Sequence, residues 1–474
     1  MAMGKRATER QASMWVATAE MAPGPSHPFY QQLNQILARH GFDEFVEGLC
    51  EGFYTDRMGR PSLAPGIYFR ILLVGYFEGI DSERGIAWRT ADSLALRSFL
   101  GYELNESPPD HSTISRTRRL VDIETHQAVF TWVLQVLARE GLLKGKTLGI
   151  DGTTLEANAA LRSIVRRDTG ESYQEFLHRL AVESGVETPS REDLAKLDRK
   201  RPKKGSNQDW KNPHDPDARI TKMKDGRTHL AHKAEHAVDM ETGAIVAVTV
   251  QPADRGDTES IDTTLSEAMD TLADVLEDPE AEPQLSPQVL SEVVADKGYH
   301  SNAVLRRHAE LGIRTYISEP KRGRRNWQDK ESEQKATYGN RRRIRGKRGK
   351  RLQRLRGERV ERSFAHCYET GGMRRTHLRG HENILKRLVV HVAGFNLGLL
   401  MRCSTGIGKP RVLQGVLAHL LRFIFVILGL HTVLRRGFRL WNSRFTELLR
   451  PLNPWPRPRR PGRFPALERG LTTG

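Results

Sequence analysis

Cysteine is scarce in this sequence, and several common signatures are missing. The 474 residues include three cysteines, Cys50, Cys367 and Cys403, and no CxxC pair. So few cysteines exclude a disulfide-stapled fold and are typical of a reducing compartment. No GxxxxGK[ST] motif occurs, so ATP-driven chemistry has no support. The first residues, MAMGKRATERQASMW, contain no apolar signal core, which favours a cytoplasmic location.

Acidic residues are fewer than basic residues in this sequence. The chain has 75 Lys+Arg against 58 Asp+Glu, a net charge of +17. The excess is concentrated in residues 341–356, with ten basic and no acidic residues, and in residues 401–474, with 14 basic and two acidic residues. Such runs are often solvated faces. Their functional interpretation is phosphate contact, because a cation on a phosphate releases counterions, so we expect a polyanion such as DNA as partner.

One apolar run has the length of a membrane span. It covers residues 412–434, VLQGVLAHLLRFIFVILGLHTVL. His419 and Arg422 interrupt it, and an arginine at mid-bilayer costs about 3 kcal/mol. We therefore expect a buried or partner-packing helix and no membrane association.

The apolar pattern divides the chain into four parts. We expect a loose arm over 1–27, a helical amino-terminal domain over 28–140, an α/β domain over 146–402 and a basic helical tail over 403–474. Residues 160–228 are polar, charged and punctuated by proline, and they are expected to form an insertion with helices. In the α/β domain, short apolar strands, one hairpin and helices follow one another, which predicts a mixed sheet.

The helical amino-terminal domain contains a candidate helix-turn-helix. Pro108 and Pro109 end one helix, and Asp110 or Ser112 is a suitable N-cap for the next. The second helix carries the candidate DNA contacts Arg116, Arg118 and Arg119. Residues 1–140 carry 14 basic and 17 acidic residues, however. DNA reading and dimerisation or packing are therefore alternatives for this domain.

Two predicted strands end in aspartate followed closely by glycine. Residues 147–150 lead into Asp151, and residues 293–295 lead into Asp296. A lone aspartate after a strand is usually a turn or cap residue. Open α/β sheets, however, place their sites at the carboxyl ends of strands, and two such aspartates favour a site.

Glu361 is the candidate third carboxylate. It lies in a predicted helix, 357–368, in which Val360 and Phe364 are one turn apart and can anchor the core. Glu361 lies at the edge of that apolar stripe, and Glu358 is the competing candidate. Three converging carboxylates suit Mg²⁺, which prefers oxygen ligands, whereas without metal they would repel one another. Two such ions about 4 Å apart can assist in-line phosphoryl displacement.

Ten short motifs follow one another along residues 28–402. They are GRPSLAP (59–65), DSLALRSFLG (92–101), PDHSTISRTR (109–118), IDGTTLEANA (150–159), NPHDPDAR (212–219), ADKGYHSNAVL (295–305), YISEPKR (316–322), VERSF (360–364), RRTHLRGHENI (374–384) and FNLGLL (395–400). Each motif alone is weak, but their order and spacing are specific. In that order they resemble the bacterial insertion-sequence transposases of the DDE type, in the IS five-like or IS eleven-eighty-two-like group.

The resemblance implies an RNase H-like core and a Mg²⁺-dependent acid triad, with Mn²⁺ as the alternative ion. Matched motif by motif, the triad is Asp151, Asp296 and Glu361, with Asp151 shared between two metal positions. It implies an enzyme that cuts the ends of its element with metal-activated water and joins the 3′-OH ends to target DNA, without a nucleotide cofactor. A homodimer on DNA, in the bacterial cytoplasm at the nucleoid, is also implied. An inactive DNA-binding remnant and a stand-alone metal-dependent nuclease are the alternatives.

Arginines and lysines are expected to hold phosphates without reading sequence. Related transposases often carry Tyr and Arg shortly before the Glu and a basic residue seven positions after it, whereas this chain has Gly357 and Tyr368 there. Trp327 is a candidate for stacking on a flipped base, with local packing as the alternative. The expected contacts outside the amino-terminal domain are Lys297, Lys321, Trp327, Arg341, Arg342, Arg343, Arg345, Lys347, Arg348, Arg356, Arg359 and Arg362.

Two histidine pairs have the spacing of helical metal ligands. They are His232 with His236 and His377 with His381. The first pair falls on a predicted strand, and no CxxC accompanies either pair, so structural zinc is disfavoured.

Overall fold

Seven α-helices lie among the described residues of the amino-terminal part. The computed structural model describes residues 27–54, 62–103, 105–201, 205–223, 226–321, 323 and 325–410. The helices are α1 (Pro28–Arg39), α2 (Phe42–Cys50), α3 (Pro65–Glu78), α4 (Glu83–Asp92), α5 (Leu94–Leu100), α6 (His111–Leu120) and α7 (Ile123–Arg139). Asp110 caps α6, since its side chain accepts the backbone N–H of Thr113 at 2.7 Å. The predicted cap at Asp110 is therefore confirmed.

The candidate helix-turn-helix departs from its prediction in two respects. Residues 101–110 separate α5 from α6, whereas the motif joins its helices by a turn of three or four residues. Arg118 is buried, and its Nε donates to Glu83 at 2.7 Å. Arg118 thus fastens α6 to α4 instead of pointing to solvent, while Arg116 and Arg119 are exposed.

A six-stranded mixed sheet follows the seven helices. The strands of the chain are β1 (Thr147–Glu156), β2 (Val165–Arg166), β3 (Trp210–Lys211), β4 (Arg219–Lys222), β5 (Thr228–Asp239), β6 (Ile245–Pro252), β7 (Glu292–Ala295) and β8 (Arg314–Ile317). β2 and β3 form a separate ribbon, and the main sheet has the order β6-β5-β1-β7-β8, with β4 also beside β5. β5 is antiparallel to its neighbours, and β1, β7 and β8 are parallel. The predicted mixed α/β sheet is confirmed, and its order is consistent with an RNase H-like core.

β1 is longer than its apolar start predicts. It continues to Glu156, because β5 pairs with it from Leu148 to Glu156. Asp151 therefore lies inside the strand, opposite His236, and the prediction that it ends the strand is wrong. β7, in contrast, ends at Ala295, and Asp296 follows it directly as predicted.

Seven further helices surround the sheet and fill the insertion. They are α8 (Tyr173–Glu183), α9 (Arg191–Lys200), α10 (Asp257–Leu276), α11 (Asn302–Glu310), α12 (Glu331–Arg345), α13 (Lys347–Phe364) and α14 (His381–Thr405). Both helices of the insertion begin with a capping box, at Ser172 in α8 and at Ser190 in α9. The helices predicted inside the insertion are thus present.

The basic run 341–356 is folded into the end of α12 and the first half of α13. The helix predicted over 357–368 begins ten residues earlier, at Lys347, and ends at Phe364 in a π-helical turn. Leu352 and Val360 are buried on one side of α13, together with the half-buried Arg356, and most of the other charged residues occupy the remaining sides. This amphipathic pattern holds the helix on the sheet despite its high charge.

α14 connects the amino-terminal helices with the sheet. It packs against α3, α7 and β6. Among the described residues it is the one helix long and apolar enough to cross a membrane, but 89% of its apolar window is buried inside the protein. α14 is therefore a core helix. The apolar run 412–434 lies outside the described residues, as does the tail after residue 410.

Asn396 provides a test of this connection. Its buried side-chain amide accepts from the backbone N–H of Ile245 at 2.9 Å and donates to the carbonyl of Ile245 at 2.8 Å. Asn396→Ala is expected to lower the free energy of unfolding by about 2–5 kcal/mol, because it leaves two buried backbone groups unpaired. Urea denaturation measures the change. Cys403→Ala, at an exposed position of α14, should cost less than about 0.5 kcal/mol, and equal losses would contradict this role.

Candidate active site

Asp151 and Asp296 lie on the same face of two neighbouring parallel strands. A Cβ at Gly149 would contact Val360 of α13 at 3.2 Å, and Asp151, two residues later, shares that face. Val294 packs beside Leu352 of α13, and Asp296 continues the extended backbone two residues after it. Because β1 and β7 are parallel, both carboxylates lie beneath α13, beyond the paired segment of the two strands.

The side chain of Asp151 is largely buried, so neighbouring charges strongly affect its ionisation. Its Oδ2 accepts from Nη1 of Arg356 at 2.5 Å, and its Oδ1 accepts from the backbone N–H of Gly152 at 2.9 Å. Burial raises the pKa of Asp151, and the Arg356 guanidinium and the Gly152 N–H offset part of that rise. The negative charge of Asp296 raises the pKa of Asp151 further. The two aspartates are therefore close enough to interact electrostatically.

Asp296 is held in place by the turn that follows it. Its Oδ1 accepts the backbone N–H of Gly298 at 2.7 Å and caps the short 3₁₀ turn Lys297–Tyr299. A Cβ at Gly298 would collide with the carboxylate of Asp257, at the start of α10. The turn therefore packs tightly against α10, which fixes the direction of the Asp296 side chain.

Glu361 lies on the helix that crosses this face. Earlier on α13, the Gln353 amide donates to the carbonyl of Ala295 at 3.0 Å, directly before Asp296. Glu361 lies two helical turns after Gln353 and next to the buried Val360, so it is on the part of α13 that passes over β1. The residue is exposed, and no described group forms a hydrogen bond or ion pair with its carboxylate. Glu358, the competing candidate, is exposed and pairs with Arg362 at 3.0 Å.

The described residues contain no group of three His, Cys, Asp or Glu side chains gathered closely enough to hold a metal ion. Asp151 and Asp296 are thus assembled as a pair, with Arg356 providing the positive charge beside Asp151. Each histidine pair includes a residue that contacts a carboxylate of the protein. Nε2 of His232 lies 3.1 Å from the Asp215 carboxylate, and His377 pairs with Asp81 at 3.0 Å.

A buried polar network supports the site from the opposite face of the sheet. The Tyr299 hydroxyl donates to Oε1 of Glu235 at 2.9 Å, and Nζ of Lys233 lies 3.0 Å from the same oxygen. Lys233 also pairs with Asp257 at 2.6 Å. Burial and the negative charge of Glu235 raise the pKa of Tyr299, so the phenol stays protonated and donates. This network was not predicted from the sequence, although a Lys and a Glu two positions apart in an apolar strand are a signal for it.

Two family models match the chain. The Transposase domain (DUF772) model matches residues 18–120, and the Transposase DDE domain model matches residues 199–397, together more than half of the chain. The chain belongs to the DDE transposases of insertion sequences. The DDE match includes Asp296 and Glu361, whereas Asp151 lies before its first residue. No curated protein and no solved structure matches this transposase.

Several arginines expected to bind DNA are engaged within the transposase. Arg341 pairs with Glu319 at 2.6 Å, and Arg348 with Glu292 at 2.5 Å. Arg343 donates to the carbonyl of Thr315 at 2.9 Å, and Arg118 and Arg356 are paired as described above. These five guanidinium groups hold protein elements together, and their assignment as phosphate contacts stays a prediction. The expected contacts with exposed side chains are Arg116, Arg119, Lys297, Lys321, Arg342, Arg345, Lys347 and Arg362, and Arg359 is half-buried.

Trp327 has protein partners. Its ring centroid lies 6.0 Å from that of Tyr338 on α12, and the Arg325 guanidinium lies 5.5 Å from its ring. The indole is half-buried in this stack. The geometry thus favours local packing, the alternative to base stacking.

The pairing of Arg356 with Asp151 has a measurable consequence. Arg356→Gln is expected to raise the pKa of Asp151 further, because the guanidinium stabilises the ionised carboxylate. A carbon-13 NMR titration of the aspartate carboxyls in the metal-free protein measures it, and Asp151→Asn identifies the signal. Arg354→Gln, at an exposed position on α13, should leave the pKa of Asp151 unchanged. An unchanged or lower pKa in Arg356→Gln would contradict the proposed electrostatic role.

Proposed function

We propose that this transposase binds the ends of its insertion element, cuts a phosphodiester bond there and joins the freed 3′-OH to target DNA. The observation that carries the proposal is the placement of Asp151 and Asp296 on one sheet face beneath α13, close enough to raise the pKa of Asp151. The matches to two transposase domains support it. We further propose that it acts in the bacterial cytoplasm at the nucleoid, as a homodimer that brings two element ends together.

We assign Asp151, Asp296 and Glu361 as ligands of divalent cations, Mg²⁺ or Mn²⁺. Their oxygens are the donors that Mg²⁺ prefers, and the mutual repulsion of Asp151 and Asp296 is relieved by positive charge. When bound, such cations lower the pKa of the attacking oxygen and stabilise the leaving one. Arg356 neutralises Asp151 in the structure, so its guanidinium competes with a cation for the same carboxylate.

The proposed chemistry exchanges one phosphodiester bond for another. In the first step, a water oxygen bonds to phosphorus and the 3′ oxygen leaves, which yields a 3′-OH and a 5′-phosphate. In the second, that 3′-OH oxygen bonds to a target phosphorus, and the target 3′ oxygen leaves with a proton. No net bond energy has to be supplied in the second step, so the reaction needs no nucleotide cofactor.

The acid triad makes a specific prediction. Asp151→Ala, Asp296→Ala and Glu361→Ala are each expected to lower the rate of DNA nicking by at least about a thousandfold, because a metal ligand supports several kcal/mol of transition-state stabilisation. DNA binding should persist. Nicking of a labelled duplex that carries the element end measures the rate, and a gel-shift assay measures binding.

Glu358→Ala is the matched control for Glu361, because both residues are exposed on α13. We expect this variant to keep nicking activity within about twofold, as surface substitutions usually do little. If Glu358→Ala were inactive and Glu361→Ala active, the third carboxylate would be Glu358. Wild-type strand transfer by Asp296→Ala would exclude the triad.

Removal of divalent cations gives an independent test. Chelation with EDTA is expected to abolish nicking and joining, and Mg²⁺ or Mn²⁺ should restore both. Thermal unfolding should show stabilisation of the wild-type protein by Mn²⁺, because a ligand that binds the folded state stabilises it. Asp151→Asn should lose most of that stabilisation. Nicking that persists in EDTA would refute the metal-dependent mechanism.

A further inference from the structure

α13 also borders a cavity, on the side of the helix away from the carboxylates. This cavity has a volume of about 620 Å³. Met240, Leu352 and Leu355 give it an apolar floor, and Lys347, Arg351 and Arg359 of α13 line its rim. It lies where β1 begins, since Thr147 also lines it. Asp151 is four residues further along the strand, about 13 Å away at 3.3 Å per residue.

The three rim cations have no acidic partner. Among the described residues, no ion pair or side-chain hydrogen bond involves Lys347, Arg351 or Arg359. Nη1 of Arg359 is buried and lacks a hydrogen-bond partner. A buried guanidinium nitrogen without a partner is costly, and a bound anion would satisfy it. Glu241 is the single acidic residue among those that line the cavity.

The spacing of the cations suits an extended polyanion. Lys347, Arg351 and Arg359 lie on one side of α13 over 12 residues, which is about 18 Å at 1.5 Å per residue. One DNA strand presents a phosphate about every 3.4 Å along the helix axis. The row of cations thus spans about five phosphates, more than a single small anion would require.

We propose that this cavity binds the phosphodiester backbone of a second DNA segment, besides the segment whose bond is cut at the carboxylates. The inference rests on the proposed function, because strand transfer requires two DNA segments on one enzyme. α13 separates them, with Glu361 toward the cut bond and Lys347, Arg351 and Arg359 toward the second backbone. The cavity recognises the charge of the phosphates and not the base sequence, because the side chains that line it are mainly aliphatic and cationic.

The binding test uses two matched double variants of α13. Lys347→Ala/Arg351→Ala removes two cavity cations, and Lys350→Ala/Arg354→Ala removes one Lys and one Arg, also four residues apart, from exposed positions of the same helix. Alanine maintains the helix, and circular dichroism confirms folding. The probe is a long fluorescent duplex of arbitrary sequence, titrated at several salt concentrations. The cavity variant should flatten the slope of log K against log [salt] by about 1.8, at 0.9 per lost phosphate contact.

The control variant should change that slope by less than half as much. Equal changes in both variants would show general surface charge, and an unchanged slope in the cavity variant would show that DNA does not enter the cavity. Either result overturns the proposal. This binding measurement does not need catalysis, so it can be read even if the wild-type protein fails to nick DNA and the proposed function falls.

A joining assay tests whether the segment in the cavity is the second one. With intact element ends and a separate target duplex, the ratio of joined to nicked product should fall by about tenfold or more in Lys347→Ala/Arg351→Ala. Arg359→Ala should lower the same ratio. If nicking and joining fell in proportion, the cavity would hold the segment being cut, and the assignment to a second segment would be wrong.

Discussion

The close approach of α13 to β1 at Gly149 is the constraint on which the site depends. Any side chain at Gly149 would collide with the Met240 sulfur and press on Val360. Because glycine has no Cβ, α13 can pack closely on the sheet at this point, and Val360 is fully buried. This contact fixes how α13 is rotated on the sheet, and so determines which of its residues face the two aspartates, because side chains three or four positions apart share a side of a helix. The contact brings Arg356 to Asp151. Met240, which also lies against Gly149, forms part of the apolar floor of the cavity beside α13.

The two faces of the sheet differ in how far their buried charges are paired. The carboxylates on the α13 face are only partly paired, whereas the buried charges on the α10 face have hydrogen-bond and ion-pair partners. Beneath α13, Asp151 has a guanidinium partner in Arg356, and no ion pair of Asp296 is found among the described residues. On the α10 face, Glu235 is fully buried and accepts from Ser260, Thr264 and Tyr299. A buried ion pair is tolerated only when hydrogen bonds satisfy its remaining atoms, as they do here for Glu235. The satisfied face therefore gives the rigid support that the turn after Asp296 needs.

Local sequence patterns predicted the helices and strands better than they predicted the contacts between them. The apolar runs at 147–150 and 293–295 indicated two strands, and a capped segment after Pro109 indicated α6, as the structure shows. The full length of β1 did not follow from its own residues, since Gly152 and Thr153 are poor signals and pairing with β5 extends the strand. The partner of each charge was equally hidden. Arg118 and Arg348 look like surface charge in sequence, but their acidic partners Glu83 and Glu292 are 35 and 56 residues away along the chain.

The positive charge of the run 341–356 is therefore divided between two uses. In the basic run 341–356, Arg341, Arg343, Arg348 and Arg356 bind Glu319, Thr315, Glu292 and Asp151, and so attach α12 and α13 to strands β1, β7 and β8 and to the segment after β8. The remaining cations of the run, among them Lys347 and Arg351, are left to face solvent or the cavity. The two uses are coupled, because α13 can present its free cations in fixed positions only while the paired arginines hold the helix on the sheet. A polyanion bound along α13 thus meets a rigid row of charges, which costs less conformational entropy on binding than a flexible basic segment would.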